Sequence, residues 1–177
     1  MNRVAKRYAK ALFEQAREDD ELNKIENDIQ NIRSVIENNQ DFKTFLASPL
    51  VSEDQKSEVL NQVFKDRTQQ LTMNFIGLLA QKKRMMILNE IFISFADYVM
   101  DYRNQVKAQL ISATELTKEQ IDEIRKNVQS FIGKEVQLDV QINSKLIGGF
   151  VVKVEDKVID NSIRYRLDTI REHLVAR

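Results

Sequence analysis

The chain has 177 residues, enough for one good core or two small ones. Its 27 basic and 27 acidic residues cancel to a formal charge of zero, which argues against a general nucleic-acid binder. With no cysteine and one histidine there is no thiolate or multi-histidine metal site, and no apolar run reaches the roughly 20 residues that span a bilayer.

The first predicted helix runs from Asn2 to Arg17. Its start is basic and amphipathic, as a transit peptide would be, but Glu14, Glu18, Asp19 and Asp20 follow at once, so we read it as mature structure. Arg3, Lys6, Arg7, Lys10, Glu14, Arg17 and Glu18 fall on one side of the helical wheel. Val4, Ala5, Tyr8, Ala9, Ala11, Leu12, Phe13 and Ala16 cover more than half of the circumference, wider than one core contact needs. The charges run basic first and acidic last, against the helix macrodipole, so packing rather than local electrostatics must hold this helix.

A second helix, Asp20 to Asn38, carries a narrow seam of Leu22, Ile25, Ile29, Ile32 and Ile36. A short third helix with Phe42, Phe45 and Leu46 stops before Ser48-Pro49, because the residue before proline avoids the helical region. Ser52 and Gln55 form a capping box that opens a fourth helix with Val59, Leu60, Val63 and Phe64. The fifth, Thr68 to Gln81, is apolar nearly all round, with Asn74 and Gln81 marking a polar strip. Such a helix is either central to its unit or receives a partner. Lys82-Lys83-Arg84 reads as a solvated turn. The sixth helix, Met85 to Arg103, is predicted to be the longest.

Near residue 105 the period changes. Gln105 to Ala113 alternates as a strand. Thr117 and Gln120 form a second capping box, and the helix to Ile132 ends at Gly133. Val136, Leu138, Val140 and Ile142 alternate as the next strand. Gly148 and Gly149 precede a hairpin made of Phe150, Val152 and Val154, a polar turn, and Val158-Ile159. Asn161-Ser162 caps a last helix with Ile163, Leu167, Ile170 and Leu174 at helical spacing. The fold expected is mainly α with a smaller α+β part: a six-helix bundle over residues 1–105, then a β-α-β-β-β-α domain over 106–177.

No phosphate loop, nucleophile elbow or zinc helix is present. Gly148-Gly149 lacks a following helix N-terminus that could hold a phosphate, so a bend or bulge at strand entry is the expected role. His173 reads as a helix-end residue rather than a base. No catalytic residue, metal site or cofactor is expected. The excess apolar surface of the first and fifth helices has two explanations, a central place in the bundle or a groove for an amphipathic helix from another protein.

The segments RYAKALFE (Arg7–Glu14), NFIGLLAQKKRM (Asn74–Met85), SAxxL (Ser112–Leu116) and LIGGFVVKVEDKVIDNSIRYRL (Leu146–Leu167) together resemble the delta subunit family of bacterial rotary ATP synthases, counterpart of the mitochondrial oligomycin-sensitivity-conferring protein. The chain departs from the family pattern at Ile142-Asn143-Ser144-Lys145, where an Asp-Pro-Ser type turn is common, and at Glu155, where glycine is common. The resemblance implies a non-catalytic stator connector on the cytoplasmic face of the bacterial membrane, associated with the membrane only through the complex. It implies that N-terminal helices of the alpha subunits bind between the first and fifth helices, at Tyr8, Ala11, Leu12, Gln15, Asn74, Leu78 and Gln81. It also implies a contact with the C-terminal region of the b-subunit stalk, placed at Gly148, Gly149, Phe150, Val152, Val154, Leu167, Ile170 and Leu174. The rival reading is a soluble helical adaptor that binds an unrelated amphipathic helix.

Overall fold

The computed structural model describes residues 2–175, with side chains through Arg171. The side chains of His173 and Leu174 therefore lie outside the described residues. The chain is mainly helical with one small mixed sheet, and it divides into two compact units between Val99 and Met100.

The first unit contains α1 (Arg3–Glu18), α2 (Leu22–Asn38), α3 (Gln40–Ala47), α4 (Glu53–Phe64), α5 (Gln70–Gln81), a 3-10 turn (Met85–Ile87) and most of α6 (Leu88–Tyr102). Every one of these helices contributes to a single core. Ala5, Ala9, Leu12, Ile25, Ile32, Leu46, Leu60, Ile76, Leu79, Ile91, Phe92 and Phe95 are among its buried members. Ala5, Ala9 and Ala16 of α1 are fully buried, which fits close approach of a neighbouring helix. Ser52 caps α4 in the expected reciprocal box with Gln55.

α6 is shorter than its apolar pattern suggests, so α2 with 17 residues is the longer helix. The 3-10 turn intervenes because Met85 is buried and its N–H donates to Glu53 Oε2 at 2.8 Å, which ties this segment to the start of α4.

Two helix ends depend on residues the sequence does not advertise. α1 stops in a Schellman motif: Glu21 N–H bonds the Ala16 carbonyl, Asp20 N–H bonds that of Arg17, and Asp20 adopts φ 56°. α5 stops the same way, with Arg84 bonded to Leu79, Lys83 to Ala80, and Lys83 at φ 55°. At its other end α5 has no cap of its own. The buried carboxylate of Asp28 on α2 accepts from Gln69 N–H and Thr72 Oγ1, both at 2.7 Å. A carboxylate there satisfies orphan donors and opposes the positive helix end.

The second unit follows the order β1 (Gln105–Ser112), α7 (Lys118–Ile132), β2 (Glu135–Ile142), β3 (Phe150–Val154), β4 (Lys157–Asp160) and α8 (Ile163–Val175). The sheet order is β2-β1-β3-β4, with β1 parallel to β2 and antiparallel to β3, and β3 antiparallel to β4. Val106, Ala108 and Leu110 of β1, Val136 of β2, and Val152 and Val154 of β3 form the core with Ile124 and Val128 of α7. Thr117 caps α7 and Gly133 ends it at φ 75°. Backbone and Thr117 hydrogen bonds in that first turn hold the Glu119 carboxyl below its ordinary pKa. The alternation of β2 is only half used. Val136 is buried, Leu138 is half-buried, and Val140 and Ile142 are exposed, because this edge strand outruns its cover.

The glycine pair has a different role from a bulge. Gly149 has φ 79°, and a Cβ there would collide with the backbone carbonyl of Asn161. At Gly148 a Cβ would meet the side chain of Ile163. The pair lets the chain entering α8 cross closely over the start of β3, where Ile163 N–H bonds the Gly148 carbonyl at 3.0 Å. Glu155, at φ 50°, occupies the left-handed position of the β3–β4 turn, which explains why glycine suits that site.

Candidate partner-binding groove

α1 and α5 enclose an apolar groove of about 320 Å³. α1 contributes Tyr8, Ala11, Leu12 and Gln15; α5 contributes Leu71, Asn74, Phe75 and Leu78. The spacing on each helix, three and four residues, follows from one face of a 3.6-residue period. Leu12 and Phe75 are buried and form the floor, with the Tyr8 ring edge-on to Phe75 at 6.4 Å between centroids. Ala11 and Asn74 are exposed on the rim, and Leu78 remains 40% exposed although it is a large aliphatic side chain. The small Ala11 keeps the groove open.

Two rim amides are tied to their own helices. Gln15 Nε2 donates to Asp19 Oδ2 at 2.9 Å, and Gln70 Nε2 donates to Asn74 Oδ1 at 2.8 Å. None of the lining residues is a carboxylate, histidine or amine, so the groove can bury apolar surface but has no acid–base pair for chemistry.

Six of the seven residues expected here, Tyr8, Ala11, Leu12, Gln15, Asn74 and Leu78, come together around this groove, while Gln81 lies beyond its lining at the last position of α5. Leu71 and Phe75 belong to the lining as well. Their spacing with Asn74 and Leu78 was the signal for them, since all four share one helix face.

In the second unit the expected residues scatter. Val152 and Val154 are buried in the core beneath α7, so their side chains offer a partner no surface. This corrects their place among candidate contacts: in strand β3 alternate residues face inward, and these are the inward ones. Gly148 and Gly149 serve the crossing into α8. Leu167 and Ile170 are each 55% exposed on α8. Phe150 borders a second groove of about 460 Å³, lined also by Ile124, Val128, Phe131, Val158 and Ile159. Phe131 is exposed at its edge, with Lys157 Nζ 5.5 Å from the ring centroid. Among the described residues no cluster of side chains could hold a metal ion, and no helix is long and apolar enough to cross a membrane.

The family described as ATP synthase delta (OSCP) subunit matches residues 4–174. The chain is 36% identical to ATP synthase subunit delta of Alkaliphilus oremlandii, over 97% of this chain and 95% of that one. It is 35% identical to ATP synthase subunit delta of Chlorobaculum tepidum, over 98% and 96%. Its fold is similar to a chain of the Toxoplasma gondii mitochondrial ATP synthase hexamer, with a TM-score of 0.73, 25% identity and 99% of both chains covered. These matches run through both units and disfavour the unrelated adaptor. The chain belongs to the ATP synthase delta (OSCP) subunit family and is a non-catalytic stator subunit of the F-type ATP synthase.

Proposed function

We propose that this subunit joins the catalytic head to the peripheral stalk through two separate surfaces. The first domain, residues 1–105, is a six-helix bundle that receives an N-terminal helix of the alpha subunit between α1 and α5. The second, residues 106–177, meets the C-terminal region of the b subunit through the exposed apolar residues of α8. The complex lies on the cytoplasmic face of the bacterial membrane. Shaft rotation exerts torque on the head, and a head free to turn would dissipate the ion gradient without making ATP. A protein with no active site and two docking surfaces suits that restraint.

The preformed groove supports the first contact best: its floor is packed and its lining is mostly apolar. A helix seated there gains affinity from a few well-buried anchors rather than from a large area. A titration of the full chain with a synthetic peptide of the alpha subunit's N-terminal segment tests it. Saturable binding is expected, with chemical-shift changes at Ala11 and Leu78. A folded chain that binds no peptide contradicts the reading.

A further inference from the structure

The reversed charge order of α1 does nothing for α1 itself. An ordinary helix places acids in its first turn and bases in its last, each favourable to the macrodipole. α1 has no acid in its first turn, and the base of its last turn, Arg17, lies over the Phe13 ring, away from the groove. Arg3, Arg7, Glu14 and Glu18 are spaced four, seven and four residues apart, so they share the flank beside Ala11, the outer rim of the groove. All four are exposed, Glu14 with its carboxylate 3.6 Å from Lys10 Nζ, so among the described residues Glu18 is the unshared acid of the two. The acidic end continues into Asp19, bonded to the groove residue Gln15. Across the groove, α5 carries no charged side chain between Gln70 and Gln81. The groove therefore has one charged wall, positive at one end and negative at the other, and one neutral wall.

We propose that this wall sets the direction of the bound helix: the partner lies parallel to α1 and carries its acids in its N-terminal half and its bases in its C-terminal half. Such a helix obeys its own macrodipole. Lying parallel, it sets its acids beside Arg3 and Arg7 and its bases beside Glu14 and Glu18. The two ends of α1 are about 22 Å apart by helical rise, roughly two Debye lengths at 0.1 M salt. Each end therefore acts on its own, and a reversed helix meets repulsion at both. The charge order that costs α1 local stability becomes complementarity to an ordinary helix. This rests on the groove's being the docking site.

The test uses the full chain and a synthetic amphipathic peptide with acidic first and basic last halves, carrying a nitroxide at either terminus. An N-terminal label is expected to broaden the amide signals near Arg3 and Arg7 and spare those near Glu18; a C-terminal label does the opposite. The inverse pattern overturns the proposed direction and leaves the groove intact as a site. Absence of any response in α1 and α5 overturns both. The fourfold variant Arg3→Glu, Arg7→Glu, Glu14→Lys, Glu18→Lys should bind the same peptide about tenfold more weakly at low salt, with the difference gone in high salt. Its melting temperature should change little, since the new order agrees with the helix dipole while the exposed Lys10–Glu14 pair is lost. Equal affinity at low salt in a folded variant contradicts the proposal.

Discussion

The two units handle their apolar residues differently. The first draws its core from six helices and leaves an apolar groove between α1 and α5, whose floor is already packed. The second builds its core from α7 and three strands, and none of the described residues of α8 belongs to it. Ile163, Leu167 and Ile170 instead stay 45%, 55% and 55% exposed. A preformed groove spends little ordering entropy when a partner arrives. A helix whose apolar stripe is uncovered gains its packing only on assembly. On the proposed reading, the head-side contact is ready-made and the stalk-side contact is completed by its partner.

The contrast is broken most forcefully in the first unit's core. Phe95→Ala, at a fully buried ring, should destabilise the free subunit by about 3–5 kcal/mol in urea denaturation. Gly149→Ala should be the severest small change in the second unit, lowering its stability by on the order of 2–3 kcal/mol, since φ 79° and the Asn161 carbonyl both oppose a Cβ. Gly148→Ala meets only the movable Ile163 side chain and should cost much less. Asp28→Ala should cost about 1–3 kcal/mol by leaving Gln69 N–H and the Thr72 hydroxyl without their acceptor, with hydrogen exchange rising first at the start of α5. Glu155→Gly should stabilise the second unit by up to about 1 kcal/mol, the left-handed cost exceeding the exposed pair with Lys134. Leu167→Ala and Ile170→Ala should leave the free subunit within about 0.5 kcal/mol of the parent. If either unfolds the second unit, α8 is part of its core and the comparison fails.

Much of this was legible in the chain because the cues were local. Ser52-Gln55, Thr117-Gln120 and Gly133 mark helix ends through their own neighbours, and the structure uses each as expected. The residues alone showed only that the apolar faces of α1 and α5 are wider than one core contact needs; placing a groove between them came from the family resemblance. What was hidden depends on distant or unadvertised partners. Asp28 caps a helix more than forty positions away, so its spacing on α2 says nothing of its role. Asp20 and Lys83 take left-handed positions where glycine would have given the signal. The turn at Met85 exists because Glu53 holds its N–H, which no periodicity encodes. Val152 and Val154 were placed among contact residues by their motif, although their alternation already pointed them inward.

The central claim, that the space between α1 and α5 holds a partner helix, is tested most directly with Ala11→Arg. Ala11 is exposed on the rim, so a long charged side chain enters the groove without disturbing the core. Calorimetric titration with the alpha subunit's N-terminal peptide should show binding to the parent chain and at least about tenfold weaker binding to the variant, with unchanged melting. Equal affinity for both chains would remove α1 from the site and contradict the account.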